Sequence, residues 1–235
     1  MNTITFGTVN SEDYGIFVAG PGMYDKPRRK VQYIDIPGRN GGLAIDEDTF
    51  EDIDIKFQAV MPTDFQTEYD DFCAALNALG GFQILSEQMH PNSFWFGSFS
   101  EMFEPKPTRY YDGATFDIIF HCKPQRYLNN GLAQQNFTAN GTITNPTLYT
   151  AKPNIRVYGT GQVGVGSQTV TIASHSWSYI DLDCEAMDAR YGANNANSYV
   201  TVTGDTFPTL APGSNGITLG TGITQIQIQP RWWTI

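Results

Sequence analysis

Two short stretches of the sequence carry residue types at spacings that occur in ligand-binding sites. The first, GTGQVG (159–164), matches the Gly-x-Gly-x-x-Gly pattern of dinucleotide-binding loops, and Asp181 follows about 20 residues later, where such proteins bind a ribose. That pattern needs a helix directly after the loop, because the helix N-terminus binds the pyrophosphate. Here VGSQTVTIA follows, which alternates and contains β-branched residues as a strand does. We therefore predict a hairpin turn at 159–164 rather than a nucleotide site.

The second stretch, DLDCEAMD (181–188), places carboxylates at alternate positions, as calcium-binding loops do. The EF-hand pattern requires glycine at its sixth position and glutamate at its twelfth. Those positions hold Ala186 and Gly192 instead. We predict that the acids of this stretch lie on the exposed side of a strand and bind no metal.

The sequence contains few of the motifs that indicate a catalytic site. There is no Gly-x-Ser-x-Gly motif, and the histidines (His90, His121 and His175) stand in no recognisable relation to a serine or a cysteine. His121 lies in an apolar strand, which favours a core or interface position. The two opposed carboxylates of a glycosidase can be neither placed nor excluded from the sequence. We predict that the protein is not an enzyme and has no catalytic residue and no cofactor.

The cysteines also argue against a metal site. Cys73, Cys122 and Cys184 are widely spaced and form no CxxC pair, so they provide neither a disulfide framework nor zinc ligands. Buried thiols in a reducing compartment are the favoured interpretation. The N-terminal sequence lacks the basic and apolar regions of a signal peptide, and no run of 18 apolar residues occurs, so we expect synthesis in a cytoplasm and no membrane span.

Composition indicates a turn-rich β protein with little affinity for nucleic acid. The 235 residues include 23 glycines and 13 prolines, and only 16% are charged, against about 25% in a typical soluble domain. The formal net charge of −10 opposes tight binding to DNA, which requires lysines and arginines that displace counterions. A weakly charged chain of this kind often covers part of its surface with further copies of itself.

The charge distribution divides the chain into two predicted domains, 1–128 and 129–235. The first contains 10 basic and 19 acidic residues, whereas the second contains 4 and 5. The boundary lies at LNNGLAQQNFTANGTITN (128–145), which is polar and lacks periodicity.

Most elements of the first domain are predicted strands that surround one helix. The strands are TITFGTV (3–9), KVQYIDI (30–36), FEDIDIKFQAV (50–60), FQILSE (82–87), SFWFGSF (93–99) and ATFDIIFHC (114–122). The helix begins with a capping box at Thr63 and Gln66, and its apolar face recurs at three- and four-residue steps. That face consists of Phe65, Tyr69, Phe72, Leu76 and Leu79, and Gly80-Gly81 ends the helix. Such a helix is marginal alone and must dock on the sheet.

The second domain is predicted to be all β. Its strands follow one another at the short spacing of a sandwich: NIRVYG, VGSQTVTIA, WSYIDLDC, NSYVTVTG, NGITLG and ITQIQIQP.

Several of these stretches, taken in order along nearly the whole chain, resemble the distal tail protein (Dit) family of long-tailed bacteriophages or prophages of Gram-positive bacteria. In the first domain they are FGTVNSEDYGIFV, IDIPGRNGGL, the helix ending in LNALGG, FWFGSF and FDIIFHCKPQRY. In the second they are KPNIRVYGTG, YIDLDCEAMDA, FPTLAPGSNGI and the terminal IQPRWW. The segment MYDKPRRK is more basic than the resemblance leads us to expect.

The resemblance implies both fold and function. The first domain is expected to be a β-sandwich or barrel-like domain with one α-helix, and the second a galectin-like sandwich. The first domains are expected to form a homohexameric ring at the end of the tail tube, as one ring or as two stacked rings. The ring is a hub between the tube and the tail-tip, baseplate and receptor-binding proteins, and DNA only passes through it. The expected location is the virion, at the tail tip.

Within that expectation the loop at 36–41 is predicted to lie at the subunit contact. Pro37 ends strand pairing because it lacks an N–H group, and the glycines of the loop permit the positive φ angles of a tight turn. Arg39 can reach a carboxylate of its own chain or of a neighbouring subunit as a bidentate pair. The predicted contact residues are Ile36, Pro37, Gly38, Arg39, Asn40 and Gly41.

An acidic run follows this loop, and we predict that it lines the lumen of the ring. Carboxylates repel phosphate, so DNA slides past them without binding. The predicted lumen residues are Asp46, Glu47, Asp48, Glu51 and Asp52.

A carbohydrate-binding module that contributes to recognition of the host surface is the alternative function, and a cell-wall hydrolase is a further one. The module rests on the sandwich and on Trp177, Trp232 and Trp233, whose rings could stack on sugars; Trp95 lies in the first domain. In β-sandwiches tryptophans are more often core residues, and a galectin-like fold alone does not imply sugar binding.

Overall fold

The computed structural model of the protein describes residues 2–62, 65–107 and 113–235. The chain forms two compact units, Met1–Arg126 together with Ile235, and Tyr127–Thr234, called unit 1 and unit 2 below. The architecture is mainly β, as predicted, with one α-helix among the described residues. The assignment of separate roles to 1–128 and 129–235 stays a prediction.

The described residues of unit 1 form ten strands and that helix. The strands are β1 (Ile4–Phe6), β2 (Val9–Asn10), β3 (Phe17–Val18), β4 (Arg29–Ile34), β5 (Leu43–Phe50), β6 (Ile53–Met61), β7 (Gln83–Glu87), β8 (Ser93–Met102), β9 (Lys106–Pro107) and β10 (Ala114–Leu128). The helix α1 spans Phe65–Ala78, and a single 3-10 turn spans Ser11–Tyr14.

Eight of these strands build one sheet in the order β2-β1-β7-β8-β10-β6-β3, with β9 beside the start of β10. Alternation fixes its two faces. In β6, Ile53 and Ile55 are buried in the core, whereas Asp54 between them is exposed. The register joins Phe120 of β10 to Ile55, so the same alternation continues on the neighbouring strand. We call the face that carries Asp54 the outer face.

The helix α1 packs on the core side of unit 1. Phe72 and Leu76 are buried, and the ring of Tyr69 meets that of Phe116 edge-on at 5.2 Å between centroids. The predicted amphipathic helix is therefore confirmed. Its predicted capping box lies outside the described residues, because Thr63 is not described and nothing is described of the Gln66 side chain.

Unit 2 contains twelve strands. They are β11 (Gln135–Phe137), β12 (Gly141–Asn145), β13 (Asn154–Gly159), β14 (Gly161–Val165), β15 (Gln168–Ile172), β16 (Ile180–Asp183), β17 (Asp188–Tyr191), β18 (Asn194–Asn195), β19 (Val200–Val202), β20 (Gly213–Leu219), β21 (Ile223–Gln229) and β22 (Trp233–Thr234). Two 3-10 turns span Asn129–Gly131 and Asn197–Tyr199.

Two sheets enclose the core of unit 2, as predicted for a sandwich. Their strand orders are β11-β21-β13-β16-β17-β18 and β12-β20-β14-β15-β19. Alternating side chains from both sheets fill the space between them, among them Val157, Val163, Val170, Leu182 and Ile226. Sequence reasoning missed β11 and β12, which lie in the polar stretch 128–145; Ile143 of β12 is a core residue.

The predicted hairpin at 159–164 is wrong. The strands on either side of Thr160, β13 and β14, belong to different sheets and do not pair. The chain changes sheets here through Gly159 and Gly161, at φ 99° and 138°. A Cβ at Gly159 would lie 2.2 Å from the carbonyl oxygen of Gly222, so only glycine allows the two backbones to approach this closely. The glycines of the motif thus allow the backbone of 159–161 to pack closely against the backbone of 221–222.

Candidate functional site

The hairpin of β4 and β5 stands apart from the main sheet of unit 1. The two strands pair only with each other among the described residues, and 35–42 join them. Nearly every residue of the hairpin is exposed, so it contributes almost nothing to the core. We call residues 29–50 the arm. A two-stranded hairpin is at best marginally stable in water, and its outer edges carry unpaired backbone groups.

One face of the arm is apolar. The register places Ile34 opposite Leu43 and Gln32 opposite Ile45, and alternation adds Glu47 to the same face. Ile34, Leu43 and Ile45 are 46%, 44% and 43% exposed. The amide of Gln32 donates to Glu47 Oε1 at 2.6 Å. We call Ile34, Leu43 and Ile45 the arm apolar face.

The opposite face of the arm is charged near the body of unit 1 and aromatic near its tip. Arg29 pairs with Asp46, at 2.5 Å between Nε and Oδ2, and with Asp48. The hydrogen bond from Arg29 lowers the pKa of Asp46. Tyr33, further along this face, is 76% exposed.

The predicted contact loop, Ile36–Gly41, lies at the tip of the arm. The Arg39 N–H donates to the Ile36 carbonyl at 3.2 Å, which closes a turn, and Gly38 and Gly41 have φ of 81° and 82°. Arg39 is exposed and has no carboxylate partner among the described residues of its own chain. Pairing within the chain is thus absent from the described part, and the role of the loop in subunit contact stays a prediction.

The predicted lumen residues lie in β5 and in the short connection that follows it. Asp46, Glu47 and Asp48 belong to β5, and Glu51 and Asp52 form the short connection to β6. Arg29 partly compensates the charges of Asp46 and Asp48. Their position in a lumen is untested.

His121 is not a core residue, and the other predicted position, at an interface, stays a prediction. The side chain is exposed on the outer face, where Nδ1 lies 2.8 Å from Asp54 Oδ1 and Nε2 lies 3.4 Å from Asp52 Oδ2. The hydrogen bond to Asp54, opposed by partial burial, raises the pKa of His121. The signal was present in the sequence: His121 alternates with Phe120 and Cys122, which are buried, so it must face the other way.

The carboxylates of 181–188 have partners within unit 2. Asp183 accepts two hydrogen bonds from the Arg231 guanidinium, at 2.9 and 3.0 Å, and also accepts from the N–H groups of Glu185 and Ala186. Asp183 is therefore engaged by the Arg231 guanidinium and by two backbone N–H groups. In the described parts of the chain, no group of three His, Cys, Asp or Glu side chains suits a metal ion.

Two of the cysteines fit the predicted buried thiols and one does not. Cys122 and Cys184 are buried, and burial raises the pKa of each thiol to about 12, so the reactive thiolate is scarce at neutral pH. Cys73 is only half-buried.

The indoles of unit 2 pack against the protein itself. Trp232 is a core residue. Trp177 stacks on Tyr191 with 10° between the ring planes, and Trp233 stacks on Tyr149 at 4.4 Å between centroids. Trp95 is buried in unit 1. These positions favour the structural role of tryptophan over the predicted sugar platform.

The chain has a fold of the Dit type, as its similarity to a solved structure shows. The SPP1 Dit protein, described as a paradigm of the hub adsorption apparatus in phages that infect Gram-positive bacteria, is 13% identical over 97% of this chain and 98% of its own, with a TM-score of 0.65. A chain of the phage P2 baseplate in its activated conformation with Ca is 9% identical over 97% of both chains, with a TM-score of 0.51.

The sequence itself adds no further relative: no family model matches it, and a search of curated proteins found no match. The resemblance to distal tail proteins, expected from short motifs, is therefore confirmed at the level of the fold. No helix in the described parts of the chain is long and apolar enough to span a membrane.

Proposed function

We propose that the protein is a structural component of a phage tail, and that six copies join through their arms into a closed ring at the end of the tail tube. The arm is the observation that carries this proposal. Its apolar side chains are exposed, its edges are open, and its core contribution is negligible. Such an element gains its stability from a partner surface. The likeness of the fold to a phage hub protein supports the same role.

A ring of this kind is heterologous, because each subunit presents one surface to the next and the rotation closes. An obligate contact buries on the order of 1,000 Å² or more. The exposed tip loop Ile36–Gly41 belongs to this contact, and Arg39 pairs there with a carboxylate of the neighbouring subunit. A bidentate arginine–carboxylate pair fixes orientation as well as adding energy.

The ring acts as a hub. The tail tube binds on one side, and tail-tip, baseplate or receptor-binding proteins bind on the other and around unit 2. The ring forms singly or as two stacked rings, and it resides at the tail tip of the virion after synthesis in the host cytoplasm. Asp46, Glu47, Asp48, Glu51 and Asp52 face the lumen, where their charges keep passing DNA from binding.

The oligomeric mass of the purified protein tests this proposal. We expect light scattering after gel filtration to give six or twelve times 26.1 kDa, with annular particles in negative stain. In a shortened variant, residues 32–45 are replaced by Asn-Gly, which joins the paired Val31 and Asp46 by a two-residue turn. This variant should remain monomeric with an unchanged melting temperature, because the removed residues lie outside the core.

Arg39→Ala should weaken the ring, and Arg39→Lys serves as the matched control, since lysine keeps the charge but loses the bidentate geometry. Rings of normal mass formed by the shortened variant, or a wild-type protein that stays monomeric at every concentration, would contradict the proposal.

A further inference from the structure

Unit 1 exposes a second apolar surface, on the outer face of β7 and β8. The register places Ile84 directly opposite Phe96, and Phe82 precedes β7 on the same side. Phe82 and Ile84 are 46% and 40% exposed, whereas the next residue of β7, Leu85, lies on the core face and is fully buried. Phe96 is half-buried and meets the buried ring of Phe94 edge-on at 5.5 Å between centroids, so Phe82 and Ile84 supply the exposed area. We call Phe82, Ile84 and Phe96 the β7–β8 patch. Adjacent exposed apolar side chains of this size mark an interaction surface more often than scattered ones do.

A single positive charge borders this patch. The Lys123 ammonium lies 5.5 Å from the ring centroid of Phe82 and 5.9 Å from that of Phe96. Both distances are within the range of a cation–π contact. Lys123 has no carboxylate partner among the described residues, so its charge remains available to an incoming acid.

The arm apolar face has the complementary composition. Ile34, Leu43 and Ile45 form a patch of three exposed side chains, and Glu47 borders it on the same face. Glu47 is hydrogen-bonded by the neutral amide of Gln32, whereas Asp46 and Asp48 share the single positive charge of Arg29 on the opposite face. The arm apolar face is thus bordered by Glu47, which no described cation neutralises, and the β7–β8 patch is bordered by Lys123, which no described acid neutralises.

We propose that the arm apolar face of one copy docks on the β7–β8 patch of the next copy, with Glu47 against Lys123. This inference rests on the proposed ring and names its contact. Two different surfaces of the same chain pair, which is the requirement for a head-to-tail ring. The aliphatic side chains lie on Ile84 and on the exposed ring of Phe82, and the charge pair at the border fixes the direction in which the arm lies.

Cysteine cross-linking tests the contact directly. In the variant Ile45→Cys with Ile84→Cys, oxidation should join neighbouring copies into a ladder of covalent oligomers that ends at the hexamer. The variants with only one of these cysteines control for the native thiols and should give no ladder. Ile45→Cys with Leu148→Cys is the matched control, because Leu148 is exposed in unit 2 but outside the proposed contact.

A charge exchange provides the second readout. Lys123→Glu and Glu47→Lys should each weaken association about two- to five-fold per contact, as expected for an exposed ion pair, and the double variant should restore it. Two acids or two bases face each other in the single variants, so a nonspecific loss of folding would not be rescued.

The outcomes separate the contact from the ring. Annular oligomers of wild-type mass without a 45–84 cross-link and without charge rescue overturn this inference and leave the proposed function intact. A cross-linked dimer in the Ile84→Cys single variant would also overturn it, because the patch would then contact itself. A chain that forms no oligomer overturns both.

Discussion

The imidazole of His121 lies between two carboxylates, and this position fixes the sign of its pH dependence. Because its pKa is raised in the folded protein, chiefly by Asp54, the stabilisation is fully present below the ordinary histidine pKa of about 6.5. It is lost as the pH rises through the raised pKa. The site is exposed, so the effect on unfolding is small, and the titration itself is the sharper measurement.

We expect NMR titration to place the pKa of His121 above its ordinary value in the wild-type protein and to show a fall in the variant Asp54→Asn. Asp52→Asn is the matched comparison and should cause the smaller fall, since Asp52 lies at the longer distance. Equal titration curves in all three proteins would show that the geometry around His121 has no electrostatic consequence.

At the residue scale, the sequence predicts the local backbone conformation better than it predicts which side chains form ion pairs. The turn at Gly38 and Gly41 was predictable, because glycine between polar residues after Pro37 has few other uses. The pairs of Arg29 with Asp46 and of Asp183 with Arg231 were not, since they join positions separated by 17 and 48 residues. Local patterns carry no information about such distances.

At the scale of elements, the passage between the two sheets of unit 2 should be sensitive to one methyl group. We expect Gly159→Ala to destabilise unit 2 by roughly 3–5 kcal/mol, because strain at positive φ adds to the clash with the carbonyl of Gly222. Gly192 also has a positive φ, of 57°, but a Cβ there meets nothing within 4 Å.

Gly192→Ala is therefore the matched control, with an expected cost of about 1–2 kcal/mol from backbone strain alone. Denaturant unfolding followed by the fluorescence of the unit 2 tryptophans measures both. If the two variants lost the same stability, the close approach of the backbones at Gly159 would be unimportant.

Elements were predictable where one face is buried and the other is not. The strand β6 alternates between core and solvent over its whole length, and its sequence shows this. The strand β5 was missed because LAIDEDTF has no buried face and contains acids that strands usually avoid. It is a strand because it pairs with β4, and this pairing joins two segments that local sequence patterns do not connect. That the two form a free arm could not be predicted for the same reason.

At the scale of the whole molecule, the acidic balance of unit 1 should keep the assembly free of DNA. We expect fluorescence anisotropy to show no binding of a labelled duplex to the wild-type protein at about 50 mM salt, where phosphate contacts are strongest. Glu51→Lys should create measurable binding of the duplex, since every subunit of the proposed ring would then place one lysine in the lumen.

Asp205→Lys makes the same change of charge in unit 2 and controls for net charge. If both variants bind DNA equally, Glu51 does not face the proposed lumen. Binding of DNA by the wild-type protein would contradict the proposed repulsive lumen altogether.

The acids of β5 have a consequence for the single chain before it meets any partner. An open-edged hairpin with exposed Ile34, Leu43 and Ile45 is a template for edge-to-edge aggregation, in which strands of many copies stack without closing. Successive carboxylates along β5 act as gatekeepers, because stacked copies would bring like charges into register. Since the bond from Arg29 lowers the pKa of Asp46, this protection persists into mildly acidic solution, and newly made chains remain available for ordered assembly.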